Sequence, residues 1–344
     1  MSAKRTNTSV NIEYLKTIGY LNNGDNGRGF SNPSDLVVAS DGRIFVLNRC
    51  DPERSKAIRV GVCNIDEDYL YEFGDGFGDG DTQFGLPVSI ALDNSGRLHI
   101  TDEYFHRVTV FNYDGEFLDK WGVYGNNEGQ FNGPSGIVFD SEDNVYIVDQ
   151  NNHRVQKFTS GGRYILEWGG FGREHGQFNM PWGVDVDVDN NVYIADWRND
   201  RIQKFASDGK FIAAFGSFPK DEVKFSRPSG VAVDDEGYIY VADWGNEAVQ
   251  VLNPDGRFIC KMRGQATLSK WAEDFFDSNL DEKIERDRSN LMPTEALDLT
   301  IDPYRVSSLT ESYFWGPRSV TIDSNHKLYV TESNRHRFQV YQIN

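Results

Sequence analysis

The chain has 344 residues, 38% hydrophobic and 13% aromatic, with 33 glycines: enough to bury a core, and rich in residues that favour strands and turns. Thirty-five basic residues against 53 acidic ones leave a formal charge of −18, a field that opposes phosphate neutralisation and argues against nucleic acid as a partner. Cys50, Cys63 and Cys260 are odd in number and lack metal-type spacing, the N-terminus MSAKRTNTSV has no apolar run, and no 18-residue apolar segment occurs. The expectation is therefore a soluble, cytoplasmic protein without disulfides and without a membrane partner.

In chain order, residues 1–10 read as a flexible tail, and NIEYLKTIGY that follows has the alternation of a strand. From there the chain repeats. Leading prolines stand at 33, 87, 134, 181, 228 and 317, the middle intervals all being 47 residues. Each proline is preceded three positions earlier by phenylalanine: Phe30, Phe84, Phe131, Phe178, Phe225 and Phe314. Each unit reads as four short strands. In the third, GPSGIVFD, NVYIVD, HRVQKF and RYILEWG are separated by the turns SEDN and SGG, polar and glycine-rich as hairpin turns require. Six units of four strands specify an all-β, six-bladed β-propeller, in which radial closure protects the strand edges. The last unit stops after a third strand, RFQVYQIN, so the N-terminal strand is expected to supply its fourth and lock a single domain over residues 11–344.

The runs VDQNNHRVQKF, ADWRNDRIQKF, TDEYFHRVTVF and TESNRHRFQVY, with the P-x-G-[IV] starts, resemble the NHL repeat over about residues 11 to 264 and 313 to 344. The resemblance implies the propeller fold. It leaves function open, because such propellers include RNA binders, protein-interaction scaffolds, sensor domains and amidating lyases.

Subtracting the repeat leaves the functional candidates. Asp102, Asp149, Asp196, Asp243 and Glu332 end the second strands, four of them with an arginine five residues on, and read as a structural bracket. His106, His153 and His336 share one repeat position in different blades, where Asp200 and Glu247 replace them, and so read as turn residues rather than zinc ligands. His99 substitutes for a packing tyrosine, and His175 is the histidine left with a functional reading. On the face where second and third strands join, the variable residues collect. Ser34, Val88, Ser135, Trp182, Ser229 and Arg318 follow the leading prolines. Arg49, Glu103, Gln150, Trp197, Trp244 and Ser333 follow the second strands. Residues 265–313 interrupt the repeat. Leu268, Trp271, Phe275, Phe276, Leu280 and Ile284 fall at helical spacing, giving a helical insertion expected to lie as a lid over the central-channel face.

A small organic ligand, a peptide segment or a protein partner is expected on this face. Trp182, Trp197, Trp244, Gln150 and Trp271 would contact it, and Arg49 and Arg318 would orient an anionic or carbonyl group. The alternative is a hydrolase or lyase in the same pocket, with Glu103, Arg49 and Arg318 as catalytic candidates. Lactonase-type propellers, related in outline, hold calcium through Glu, Asn and Asp. By that likeness Glu103, Gln150 and Asn48 are the nearest ligands for one divalent metal ion, while Asp75, Asp79 and Asp81 in GDGFGDGDTQFG form a second acidic candidate. The amidating-lyase zinc site does not carry over, since no first strand contains a histidine.

Overall fold

The computed structural model describes residues 10–22, 27–216, 223–292 and 302–344. It is a six-bladed β-propeller of four-stranded antiparallel sheets. Ile12–Ile18 pairs antiparallel with Arg337–Ile343, from Ile12 opposite Ile343 to Ile18 opposite Phe338, so the first strand of the chain is the outermost strand of the last blade. The ring is thereby closed by hydrogen bonds between the two ends of the chain.

Burial follows position in the blade. Second strands such as Ile239–Asp243 are buried at every residue, because neighbouring blades cover both faces. Outer strands such as Tyr164–Gly169 alternate half-buried and exposed residues. The six phenylalanines before the leading prolines are all buried and wedge the blades together; Phe131 meets Phe158 at 5.6 Å and Phe178 meets Phe205 at 5.5 Å. Gly169, at φ +120°, lets the Phe178 ring approach; a Cβ there would sit 2.8 Å from it.

The acids that end the second strands form the expected bracket. Asp196 accepts from the Asn179 backbone N–H at 2.8 Å and from Arg201 Nε at 2.7 Å, and Asp149 and Glu332 do the same in their blades. Asn48 fills this place in the first blade. It accepts from the Ser31 N–H at 2.8 Å and donates to the Val46 and Arg59 carbonyls.

The His/Asp/Glu position at the start of the third strands has a more specific role than an outer turn. These residues sit at φ between +50° and +56°. Each points an acceptor at the N–H of the residue before the next blade's proline: His106 Nδ1 to Gly133, His153 Nδ1 to Met180, Asp200 to Arg227, Glu247 to Gly316 and His336 Nδ1 to Asn32. Blade is stapled to blade, and the His336–Asn32 bond at 3.0 Å carries the staple across the closure. His99 is buried in the tyrosine position as expected, against Asp93.

The insertion is helical, with α1 (Lys270–Ser278), α2 (Leu280–Arg288) and α3 (Pro303–Leu309). It docks at the junction of the last and first blades. Trp271 is 2% exposed, donates its indole N–H to the Glu67 carbonyl and meets the Phe30 ring at 5.6 Å. Ser269 caps α1 and donates its hydroxyl to the Gly19 carbonyl. α3 lies beside the short turn Trp244–Asn246, and Arg335 donates to the Ser307 and Thr310 carbonyls.

Candidate functional site

At the mouth of the channel two side chains meet from blades that are separated by one other. Arg318 follows the leading proline of the sixth blade and Trp182 that of the fourth; the Arg318 guanidinium lies 4.8 Å from the Trp182 ring centroid. Their neighbours in the ring are serines. Ser135 Oγ donates to the Trp182 carbonyl at 3.0 Å and Ser229 Oγ to the Arg318 carbonyl at 2.8 Å, fixing the backbone beneath each large residue. Below the pair the channel narrows to about 50 Å³.

Beside Trp182 opens a cavity of about 470 Å³, walled by Glu103, Tyr104, His106, Gln150, Met180 and Trp182. That is within the range of small-molecule sites. Glu103 is held at both oxygens: Arg49 Nη2 donates to Oε1, and Gln150 Nε2 donates to Oε2 at 2.9 Å. Arg49 Nη1, Gln150 Oε1 and Arg318 Nε are buried with no hydrogen-bond partner among the described residues. Burial, reinforced by the charge of Arg49, pushes Arg318 down to about 10. Burial also lowers His106, in keeping with a neutral ring whose Nδ1 accepts the Gly133 N–H.

Trp182 and Trp197 come together, ring centroids 6.5 Å apart. Trp244 joins them through a residue the repeat did not flag. Arg227 stands just before the fifth leading proline at φ +53°, its guanidinium 5.5 Å from Trp197 and 6.0 Å from Trp244. The available signal was a long cation at a position where other blades carry Asn32, Leu86, Gly133, Met180 or Gly316. Two channel acids were also missed. Asp35 accepts from the Ser89 hydroxyl at 2.6 Å and the Ile90 N–H at 3.1 Å. Asp185 accepts from the Val233 N–H at 2.7 Å. Both face the channel where it widens to about 420 Å³ towards the opposite face. Burial raises Asp35 and carries Asp185 up to about 7.

Other candidates lie elsewhere. Trp271 is the anchor of the insertion, buried by Phe30 and the Glu67 turn, and is not among the residues that line the mouth cavity. No described residue of 265–313 lines the mouth cavity or the channel beneath it. Asn48 is spent in the bracket. Asp75 takes the Thr82 hydroxyl, Asp79 pairs with Arg107, and Asp81 pairs with Lys120 at 2.8 Å, so the three carboxylates of the glycine-rich loop have separate partners. Arg107 thus serves that loop instead of Asp102. Among the described residues no group of three His, Cys, Asp or Glu could hold a metal ion. His175 stacks on Phe211 at 4.3 Å.

The model of the NHL repeat matches residues 131–158, 178–205, 225–252 and 314–341. Human NHL repeat-containing protein 3 is 30% identical over 111 residues, 32% of this chain and 31% of that protein, and the mouse protein of the same name matches to the same extent. The match thus spans about a third of those relatives. Among solved structures, a Bacteroides thetaiotaomicron protein of unknown function is similar over 98% of this chain and 77% of its own, with TM-score 0.65 and 17% identity. A catalytically inactive virginiamycin B lyase from Staphylococcus aureus, solved with quinupristin, is similar over 97% of this chain and 88% of its own, with TM-score 0.56 and 13% identity. At such identities these structures share the fold alone.

Proposed function

We propose that this six-bladed β-propeller, which carries NHL repeats at four positions, is a binding protein whose ligand, a small organic molecule or peptide segment, seats in the cavity beside Trp182. The observation that carries the reading is a set of buried, unpartnered polar atoms about Trp182 and Glu103: Gln150 Oε1 in the cavity wall, Arg318 Nε on the guanidinium beside the Trp182 ring, and Arg49 Nη1 on the guanidinium paired with Glu103. A buried polar group without a partner costs about 1–3 kcal/mol, more when it is charged, and an occupant of the cavity is the natural means of recovering that cost. Partly exposed Trp197 and Trp244, bridged by Arg227, extend the same face outwards and give room for a longer ligand.

The hydrolase or lyase alternative draws on the fold shared with virginiamycin B lyase. It would need Glu103 to give up Arg49 or Gln150 before that carboxylate could act as an acid or base. Binding needs no such rearrangement and is preferred. A cytoplasmic setting belongs to the same proposal, supported by three cysteines that are all unpaired.

The test is native mass spectrometry of the gently purified chain against its denatured mass, repeated for Trp182→Ala. An organic mass on the wild type that is lost from the variant supports the reading. A ligand retained equally by both would move the site away from the mouth, and a stoichiometric metal mass would promote the enzyme alternative.

A further inference from the structure

The unpartnered atoms at the mouth differ in kind, and together they describe a ligand. The Arg318 guanidinium makes no hydrogen bond or ion pair among the described residues, and it lies 4.8 Å from the Trp182 ring centroid. Arg49 spends Nη2 on Glu103 and leaves Nη1 buried and free. The two guanidiniums are close enough for the charge of Arg49 to act on Arg318. Against them the mouth sets one carboxylate, Glu103. Asp35, deeper in the channel, is engaged by the Ser89 hydroxyl and the Leu36 and Ile90 N–H groups. Glu103 is thus in contact with Arg49, while no carboxylate among the described residues forms an ion pair with Arg318. A guanidinium fork is shaped for a planar oxyanion.

Gln150 contributes the opposite preference. Its Nε2 is committed to Glu103, so the amide orientation is fixed and the vacant atom is the acceptor Oε1, which asks for an N–H or O–H donor. Leu86, Tyr104, Met180 and Trp182 give the rest of the wall an apolar and aromatic surface, with His106 and Asn151 as its other polar members.

We infer that the occupant is a carboxylate monoanion bearing an adjacent hydrogen-bond donor and an apolar body, the chemistry shared by an N-acylated apolar amino acid and by the free C-terminus of a peptide. The carboxylate faces Arg318 and Arg49, the amide N–H faces Gln150, and the side chain lies against Trp182 and Met180. This rests on the mouth cavity being the ligand site.

Calorimetric titration of the full chain at pH 7 with N-acetyl-L-phenylalanine and with N-acetyl-L-phenylalaninamide tests it, because the pair differ at one terminal group, an anionic carboxylate against a neutral carboxamide of the same shape. The acid is expected to bind at least tenfold tighter than the amide. Arg318→Gln, checked for folding by circular dichroism, should abolish that preference, and Arg318→Lys should restore part of it. Trp182→Ala should weaken both ligands. Equal binding of acid and amide, lost in Trp182→Ala, would overturn the carboxylate while leaving the cavity reading intact. Absence of binding by either ligand at millimolar concentration, with fluorescence of the mouth tryptophans unmoved, would overturn both. A tripeptide ending in a free phenylalanine carboxylate separates the two sources: binding as tight as the acetylated amino acid assigns a peptide end, and exclusion assigns a free acid.

Discussion

The staple across the ring closure gives a stability that depends on protonation in a calculable way. His336 Nδ1 accepts the Asn32 N–H at 3.0 Å, so the bond exists only with the ring nitrogen unprotonated. Burial, with the nearby charge of Arg54, lowers His336 from 6.5 to about 4. A folded value below the unfolded one means that the neutral form is favoured in the closed ring. The stability it contributes is present above the unfolded value and is lost as the pH falls from about 6.5 towards 4. For that shift the linkage relation gives a loss of about 2 kcal/mol at pH 5 relative to pH 7.5, reduced to about 1–2 kcal/mol because the side chain keeps some exposure. Asp200 shows that a shorter oxygen acceptor works at the same φ, bonding the Arg227 N–H at 2.7 Å, and asparagine is well suited to that backbone. His336→Asn should therefore keep the staple without the titration. Urea denaturation of both proteins from pH 7.5 to pH 5 isolates this one group, since the other titrating residues are common to both. The variant should lie within about 1 kcal/mol of wild type at pH 7.5 and exceed it by about 1–2 kcal/mol at pH 5. A difference that stays constant across this range would refute the staple as the source of acid sensitivity.

Asp185 works in the other direction. Its folded value of about 7 lies above the ordinary carboxylate value, so the stability linked to it is present below about pH 4 and is lost as the pH rises through 7. Asp185→Asn should stabilise the ring by about 1–3 kcal/mol at pH 8 and by less at pH 5, measured by urea midpoints; a larger gain at pH 5 would contradict the buried-charge account. Trp271→Ala should cost about 3–5 kcal/mol in the same assay, as for other large aromatic truncations, while leaving ligand capture at the mouth unchanged. Loss of capture at full folding would return the insertion to the site. Deleting residues 1–18 removes the strand paired with Arg337–Ile343 and should leave no cooperative transition at the wild-type midpoint; an unshifted midpoint would mean that closure contributes nothing.

The scaffold was legible because it is repeated. Leading prolines, wedging phenylalanines and bracket acids each occur in several blades, so one reading is checked by the others, and the missing fourth strand announces the closure. The site lies where the blades depart from one another, and there the repeat predicts position without direction. It places Arg318 and Trp182 on one ring without showing that the two side chains meet. It assigns no role to Arg227 before its proline or to Asp35 and Asp185 within first strands, because each is unique at its register position. The docking surface of the insertion was not legible for a different reason. Helical spacing fixes which side of α1 is apolar, and several surfaces of a propeller can bury an apolar side. The choice is made by the uncovered shoulder between the last and first blades, where Phe30 and the Glu67 carbonyl receive Trp271. Covering that shoulder also protects the one blade whose strands come from both ends of the chain. The insertion thus reinforces the closure.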